Sequence, residues 1–265
     1  MTVSLGWTSL SLATDIVLLA YIGWEVIGFV SQYRQLKQRI ANGDPEARNR
    51  VYQRGLIFEW ITAALALVAL RFDWSLLSPK NLGLENSALM QSLSPMHEAL
   101  KGVVAGLFLG ALLGGIAFAI IRRRGNRRGA VPAAKPAGWR SRMMPDFSAL
   151  IPVTGRERIF FAALAVSAGI CEEVVFRGWL LATLHSVLGL NGTALVALAA
   201  AIFGMAHAYQ KVTGVILTGL VGFMLCVLYI MTGSLLLPIL LHIVIDLRFA
   251  FMPAPVMAKP EAAYA

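Results

Sequence analysis

The chain alternates long apolar runs with short polar ones, and that rhythm defines its elements. Apolar segments cover about Leu5 to Val30, Gly55 to Leu70, Gly102 to Ile121, Glu157 to Leu188 and Gly192 to Ala208. Two more share the uncharged stretch Val212 to Ile245, which Thr232-Gly233-Ser234 breaks in two. Most approach or exceed the ~20 residues that cross a hydrocarbon core. The fourth would be close to ~50 Å long as a helix, against a core of ~30 Å, so it must tilt or lay its first turns along the interface. Asn42-Gly43 reads as a helix stop, and Asp44-Pro45-Glu46 as cap, first position and first turn of the next helix. Glycines at 102, 106, 110 and 114 make a smooth strip for close helix packing.

Composition agrees with this pattern. Of the 265 residues, 58% are hydrophobic and 14% charged, and the mean hydropathy is +0.70. The expectation is an all-α, polytopic integral membrane protein with seven to eight spans. The net charge of +9 does not signal nucleic acid. Of 23 Lys and Arg, 16 fall in residues 31–54 and 122–158, between apolar runs, where they act as topology signals. Alternation with those loops inside gives seven spans, N-terminus outside and C-terminus inside. An eighth or re-entrant segment within 75–98 would reverse the first ones. The expected layout is N-terminal helices over 1–130, a basic Pro/Ala-rich cytoplasmic linker over 131–156, a core over 157–252 and a tail over 253–265. The first seven residues carry no Lys or Arg, so no cleaved signal is expected. Cys171 and Cys226 lie in apolar runs and read as packed, reduced thiols. Trp7 and Trp24 suit the two interfaces, and Asp15 and Glu25 face either the bundle interior or its ends.

What changes the picture is charge inside the apolar runs. Glu172, Glu173 and Arg177 interrupt the fourth run, His207 ends the fifth, and His242 and Asp246 sit in the seventh. Each ionised side chain costs about 2.5–3.5 kcal/mol near a bilayer centre, so Glu172, Glu173, Arg177 and Asp246 together cost on the order of 10 kcal/mol. Such groups are expected to meet in one buried polar site. Glu173 and Arg177 are four apart on one helix face and can pair. Glu172 lies about 100° round from Glu173. It takes a partner from another helix or stays protonated, which suits a general base. His242 and Asp246 share a face of the last span. A carboxylate, two imidazoles and a second carboxylate can activate water and stabilise an oxyanion. The same four residues, Glu172, His207, His242 and Asp246, could instead hold a divalent metal such as zinc, which the sequence does not require. His97 and His185 have no such partners and read as hydrogen-bonded core residues, and Phe203 reads as packing.

Glu172-Glu173-x-x-x-Arg177, Phe203-x-x-x-His207 and His242-x-x-x-Asp246, in that order, resemble the three motifs of the CAAX-protease and bacteriocin-processing (CPBP) family of intramembrane proteases, including the type II CAAX prenyl endopeptidases. His207-Ala208-Tyr209-Gln210 and Thr232-Gly233-Ser234 also look like its bacterial branch. The resemblance covers roughly 150–250. It implies a multi-pass endopeptidase of the cell membrane with its site reached from the cytoplasm. By that resemblance Glu172 activates water with help from His207, and His242 and Asp246 bind the oxyanion or position the water. Glu173 and Arg177 then support the site. The family often has Asn where Asp246 stands. An ionised Asp cannot donate to an oxyanion, which favours a protonated Asp246 or a metal-ligand role. The expected partners are a peptide or membrane-protein substrate and the lipid bilayer, with oligomeric state open. A non-catalytic membrane scaffold or immunity protein, and a proton or ion carrier using the same polar site, are the competing readings.

Overall fold

The computed structural model describes residues 9–70, 102 and 147–252. The third apolar run beyond Gly102, the loop 71–101 with His97, the linker up to 146, Trp7 and the tail from 253 lie outside the described residues. Every regular element described is helical, with no strand among the described residues.

Two long helices, α1 (Ser9–Ala41) and α2 (Ala47–Ala69), form an antiparallel hairpin. Gly43 stops α1 because it can take φ +80°. The Asp44 and Gly43 amides then close back on the carbonyls of Arg39 and Ile40 at 3.0 and 3.1 Å. The start of α2 differs from the sequence expectation. Asp44 does not cap the helix; its Oδ1 accepts from the Glu46 amide at 3.0 Å inside the turn, and Glu46 is the cap residue. Arg54 bridges back to Glu25 with contacts of 2.8 and 2.9 Å. Asp15 faces inwards and accepts from the Trp179 indole at 2.6 Å.

A strap at 147–154 leads into the central helix. Arg48 Nε and the Tyr52 hydroxyl hold it by the carbonyls of Ala149 and Leu150, at 2.9 and 2.8 Å. Thr154 then starts α3 (Gly155–Glu173) with a capping box: its Oγ1 accepts from the Glu157 amide at 3.2 Å, and Glu157 Oε2 accepts from the Thr154 amide at 3.0 Å. This places the start two residues before the expected Glu157. After Glu173 the chain passes without a break through a wide π-helical segment, Val174–Leu180, into α4 (Leu181–Leu188). Gly189 at φ +64° ends it.

The remaining helices are α5 (Gly192–Ala206), α6 (Lys211–Thr232) and α7 (Leu236–Ala250), the last two divided where the Thr-Gly-Ser break was expected. Gly204 on α5 lets α6 approach closely: a Cβ there would lie 2.6 Å from the Val215 carbonyl oxygen. Gly169 does the same for α7 on α3, where a Cβ would meet Ile243 Cγ1 at 2.5 Å and its amide nitrogen at 2.9 Å. The buried core centres on Trp179, Phe203, Leu195, Tyr229 and their neighbours. Trp24, Ile27, Ile159, Leu220 and Leu236 point outwards.

Among the described residues, four helical stretches are long and apolar enough to cross a membrane: Ala13–Ala41, Ala47–Ala69, Gly155–Leu188 and Ala208–Thr232. Helices α5 and α7 are shorter, at 15 residues each. The contacts sort the described helix ends consistently. Tyr33 with Tyr209, Arg48 with Ala149, Arg158 with Ala250 and Phe147 with Phe249 gather at one end. Residue pairs Tyr52/Phe161, Gly55/Leu164 and Trp60/Ser167 rise together, so α2 and α3 run parallel.

Candidate active site

The site is built where the π-helical segment begins. Glu173 and Arg177 are both fully buried, and Arg177 Nη1 donates to Glu173 Oε1 at 2.9 Å. A buried guanidinium needs more than one partner. Nη2 donates to the Gly222 carbonyl at 3.1 Å, and the cation lies 4.5 Å over the Phe203 ring. Gly222 has no room for a side chain, since a Cβ would lie 2.7 Å from Phe203 Cδ1.

Glu173 serves a second helix as well. His242 Nδ1 lies 2.8 Å from Glu173 Oε1. A carboxylate only accepts, so Nδ1 carries the proton and the ring's other nitrogen is free for chemistry. That nitrogen, Nε2, stands 3.8 Å from Glu172 Oε2 and 3.7 Å from Asp246 Oδ2. Both gaps are too long for a direct hydrogen bond and suit one bridging water. Glu172 Oε2 is buried with no hydrogen-bond partner among the described residues. It is the acceptor best placed to receive such a water.

His207 closes α5. Its Nδ1 lies 3.0 Å from the Phe203 carbonyl, which only accepts, so Nε2 is left as an acceptor in the neutral ring. Its ring packs 5.0 Å from Phe203, and His242 packs against the same Phe203 at 6.0 Å. Phe203 is thus packing, as its type suggests, but packing that touches Arg177 and both histidines. His185, by contrast, is satisfied locally by the Leu190 carbonyl at 2.8 Å. Cys171 and Cys226 are free and buried.

Glu172, His207, His242 and Asp246 line one cavity of about 370 Å³, within the range of small ligand sites. Its walls run from Gln32, Arg54 and Arg248 at the strap end inwards to Val175 and Phe203. Sequence reasoning passed over one more residue in this wall. Glu59, from α2, lines the same cavity as Glu172, His242 and Asp246. A lone acid in a helix with several charges near its start gave no pattern to follow.

For the zinc alternative the described residues offer no ready-made ligand cluster. Among the described residues, no three His, Cys, Asp or Glu side chains converge closely enough to hold a metal ion. His242 Nδ1 faces Glu173 and His207 Nδ1 a carbonyl, which leaves Nε2 of each ring free, an arrangement that metal-ligating histidines also show.

This segment also has a recognisable identity. Residues 154–248 match the family model of the type II CAAX prenyl endopeptidases, Rce1-like. The matched Rce1-like segment runs from the capping box of α3 to the last turn of α7 and holds Glu172, Glu173, Arg177, His207, His242 and Asp246. It leaves α1 and α2, and with them Glu59, outside. No curated protein and no solved structure matches the chain. The match to a membrane-protease family model and the apolar helices long enough to cross a membrane together support a multi-pass membrane protein.

Proposed function

We propose that the chain is an intramembrane endopeptidase whose general base is Glu172. The observation that carries this reading is the gap between Glu172 Oε2, His242 Nε2 and Asp246 Oδ2, at separations one water can bridge. A water there gives a proton to Glu172 as its oxygen attacks the substrate's peptide carbonyl. His242 is held in one orientation by Glu173, and in the imidazolium form its Nε2 donates to the carbonyl oxygen as that becomes an oxyanion. The C–N bond breaks as Glu172 passes the proton to the leaving amine. Asp246 holds the water from the other side, and His207 Nε2 offers a second acceptor across the cavity. Arg177 holds Glu173 in place.

The span count follows from the same reading. On that reading the helical stretches α1, α2, α3 with α4, α5, α6 and α7, together with the uncharged run 102–121, are taken as seven crossings, with the N-terminus outside. The strap end, rich in Arg, then faces the cytoplasm of a cell membrane. The 157–252 core carries the chemistry, and α1 and α2 add one wall of its cavity. The substrate is a peptide or membrane protein that enters from that side.

The test uses purified protein in detergent and a quenched fluorogenic peptide with a farnesylated CAAX end, its products mapped by mass. Wild type should cut one peptide bond, and Glu172→Gln should be about 10²–10⁴-fold slower. Equal cutting by Glu172→Gln at the same bond would contradict the assignment of the base.

A further inference from the structure

Glu59 lies outside the segment matched by the family, yet it lines the cavity that holds the proposed base, on a helix packed against α3. We propose that Glu59 is a positioning residue for Glu172, holding its carboxylate in the orientation that faces His242. The inference rests on Glu172 being the base.

Three observations support it. First, α2 is locked onto α3 around this residue. Tyr52 packs edge-on to Phe161 at 5.6 Å, Gly55 sits against Leu164, and Trp60 Nε1, next to Glu59, donates to Ser167 Oγ at 3.1 Å. The approach of Glu59 to Glu172 is therefore set by two packed helices, not by a wandering side chain. Second, two carboxyl groups that line one cavity can hydrogen-bond as donor and acceptor once one of them carries a proton. A half-buried acid inside an apolar helix is costly unless such a contact offsets it. Third, Glu172 lacks the support its neighbours have. Glu173 is held by Arg177 and His242, and His207 and His242 are each held at Nδ1. Glu172 faces His242 Nε2 across 3.8 Å, too far for a direct hydrogen bond, which leaves room for a direct partner from another helix. Glu59 supplies it.

A base must be held in line with the proton it takes, and a misplacement of about 1 Å can cost on the order of 10²-fold in rate. Glutamine at position 59 keeps a donor for Glu172, whereas leucine keeps only the bulk. On the farnesylated CAAX peptide, Glu59→Leu should lower kcat by about 10- to 100-fold with KM within about twofold, the mark of lost transition-state geometry. Glu59→Gln should recover most of that loss. Wild-type kcat in Glu59→Leu, or Glu59→Gln as slow as Glu59→Leu, would overturn the proposal. A rise in KM alone would also overturn it and make Glu59 a plain wall residue. A double-mutant cycle on melting temperature, with Glu59→Leu, Glu172→Leu and the pair, reads the contact without any substrate. Non-additive shifts are expected, and additive ones would refute the contact. Failure of the base assignment appears separately, as unimpaired cleavage by Glu172→Gln while the cycle remains non-additive.

Discussion

At the scale of single residues, the two adjacent glutamates do opposite jobs because they face different partners. Glu173 Oε1 meets Arg177 and His242 at 2.9 and 2.8 Å, whereas Glu172 Oε2 stands 3.8 Å from His242 Nε2, and the Oε2 of each glutamate is buried with no hydrogen-bond partner among the described residues. Replacing Glu173 by leucine strands a buried guanidinium, and removing one partner of a buried pair costs roughly 3–5 kcal/mol. Glu173→Leu should therefore show a large fall in melting temperature in detergent. Glu172→Gln should melt near wild type while losing activity. If both variants melted alike, the division between a structural and a chemical carboxylate would be wrong. Most of these residues were legible in the sequence, since ionisable groups stand out in apolar runs. The i, i+4 spacing of Glu173 and Arg177 forecast their contact. What it could not forecast was Glu173 reaching His242, 69 residues away, or Glu59 joining from a different helix. Contacts of that kind depend on helix rotation and crossing, which periodicity does not encode.

At the scale of elements, the site depends on how closely α7 approaches α3. Gly169 permits that approach three residues before Glu172. A methyl group there must displace the Ile243 backbone, one residue from His242. Gly169→Ala should cost about 1–3 kcal/mol by overpacking and should also lower kcat by moving His242 off the water gap. Unchanged stability and kcat would mean that the two helices have slack. The π-helical segment Val174–Leu180 was invisible beforehand, since an apolar run with a single Arg fits an ordinary helix equally well. The capping box was readable as Thr154-x-x-Glu157, although the apolar pattern drew the start towards Glu157 itself. Helix breaks set by glycine were the most legible feature. Gly43 and Gly233 both adopt positive φ where the chain was expected to turn.

For the whole molecule, the alternation of basic and neutral loops and the clustering of helix ends describe the same arrangement. The α1–α2 turn, the strap at 147–154 and the end of α7 lie together through contacts of Arg48, Arg158 and Phe147. Cysteines placed at Asn42 and Lys211 should then react with an impermeant maleimide from one side of the membrane, and one at Ser234 from the other. The native thiols are buried and should stay silent. Labelling of positions 42 and 234 from the same side would overturn the seven-span arrangement. The all-helical, multi-pass character was evident from composition, and the meeting of Glu172, His207, His242 and Asp246 in one cavity was expected from the ionisable groups in apolar runs, whereas the share of α2 in that cavity was not, because it is a property of packing.

The most direct test of the central claim is the cleavage rate of wild type against Glu172→Gln, each shown to be folded by its melting curve, with and without a metal chelator. The expected result is loss of at least about 10²-fold in Glu172→Gln and no effect of chelator on wild type. Cleavage by folded Glu172→Gln at the wild-type rate, or complete loss in wild type on chelation, would contradict it.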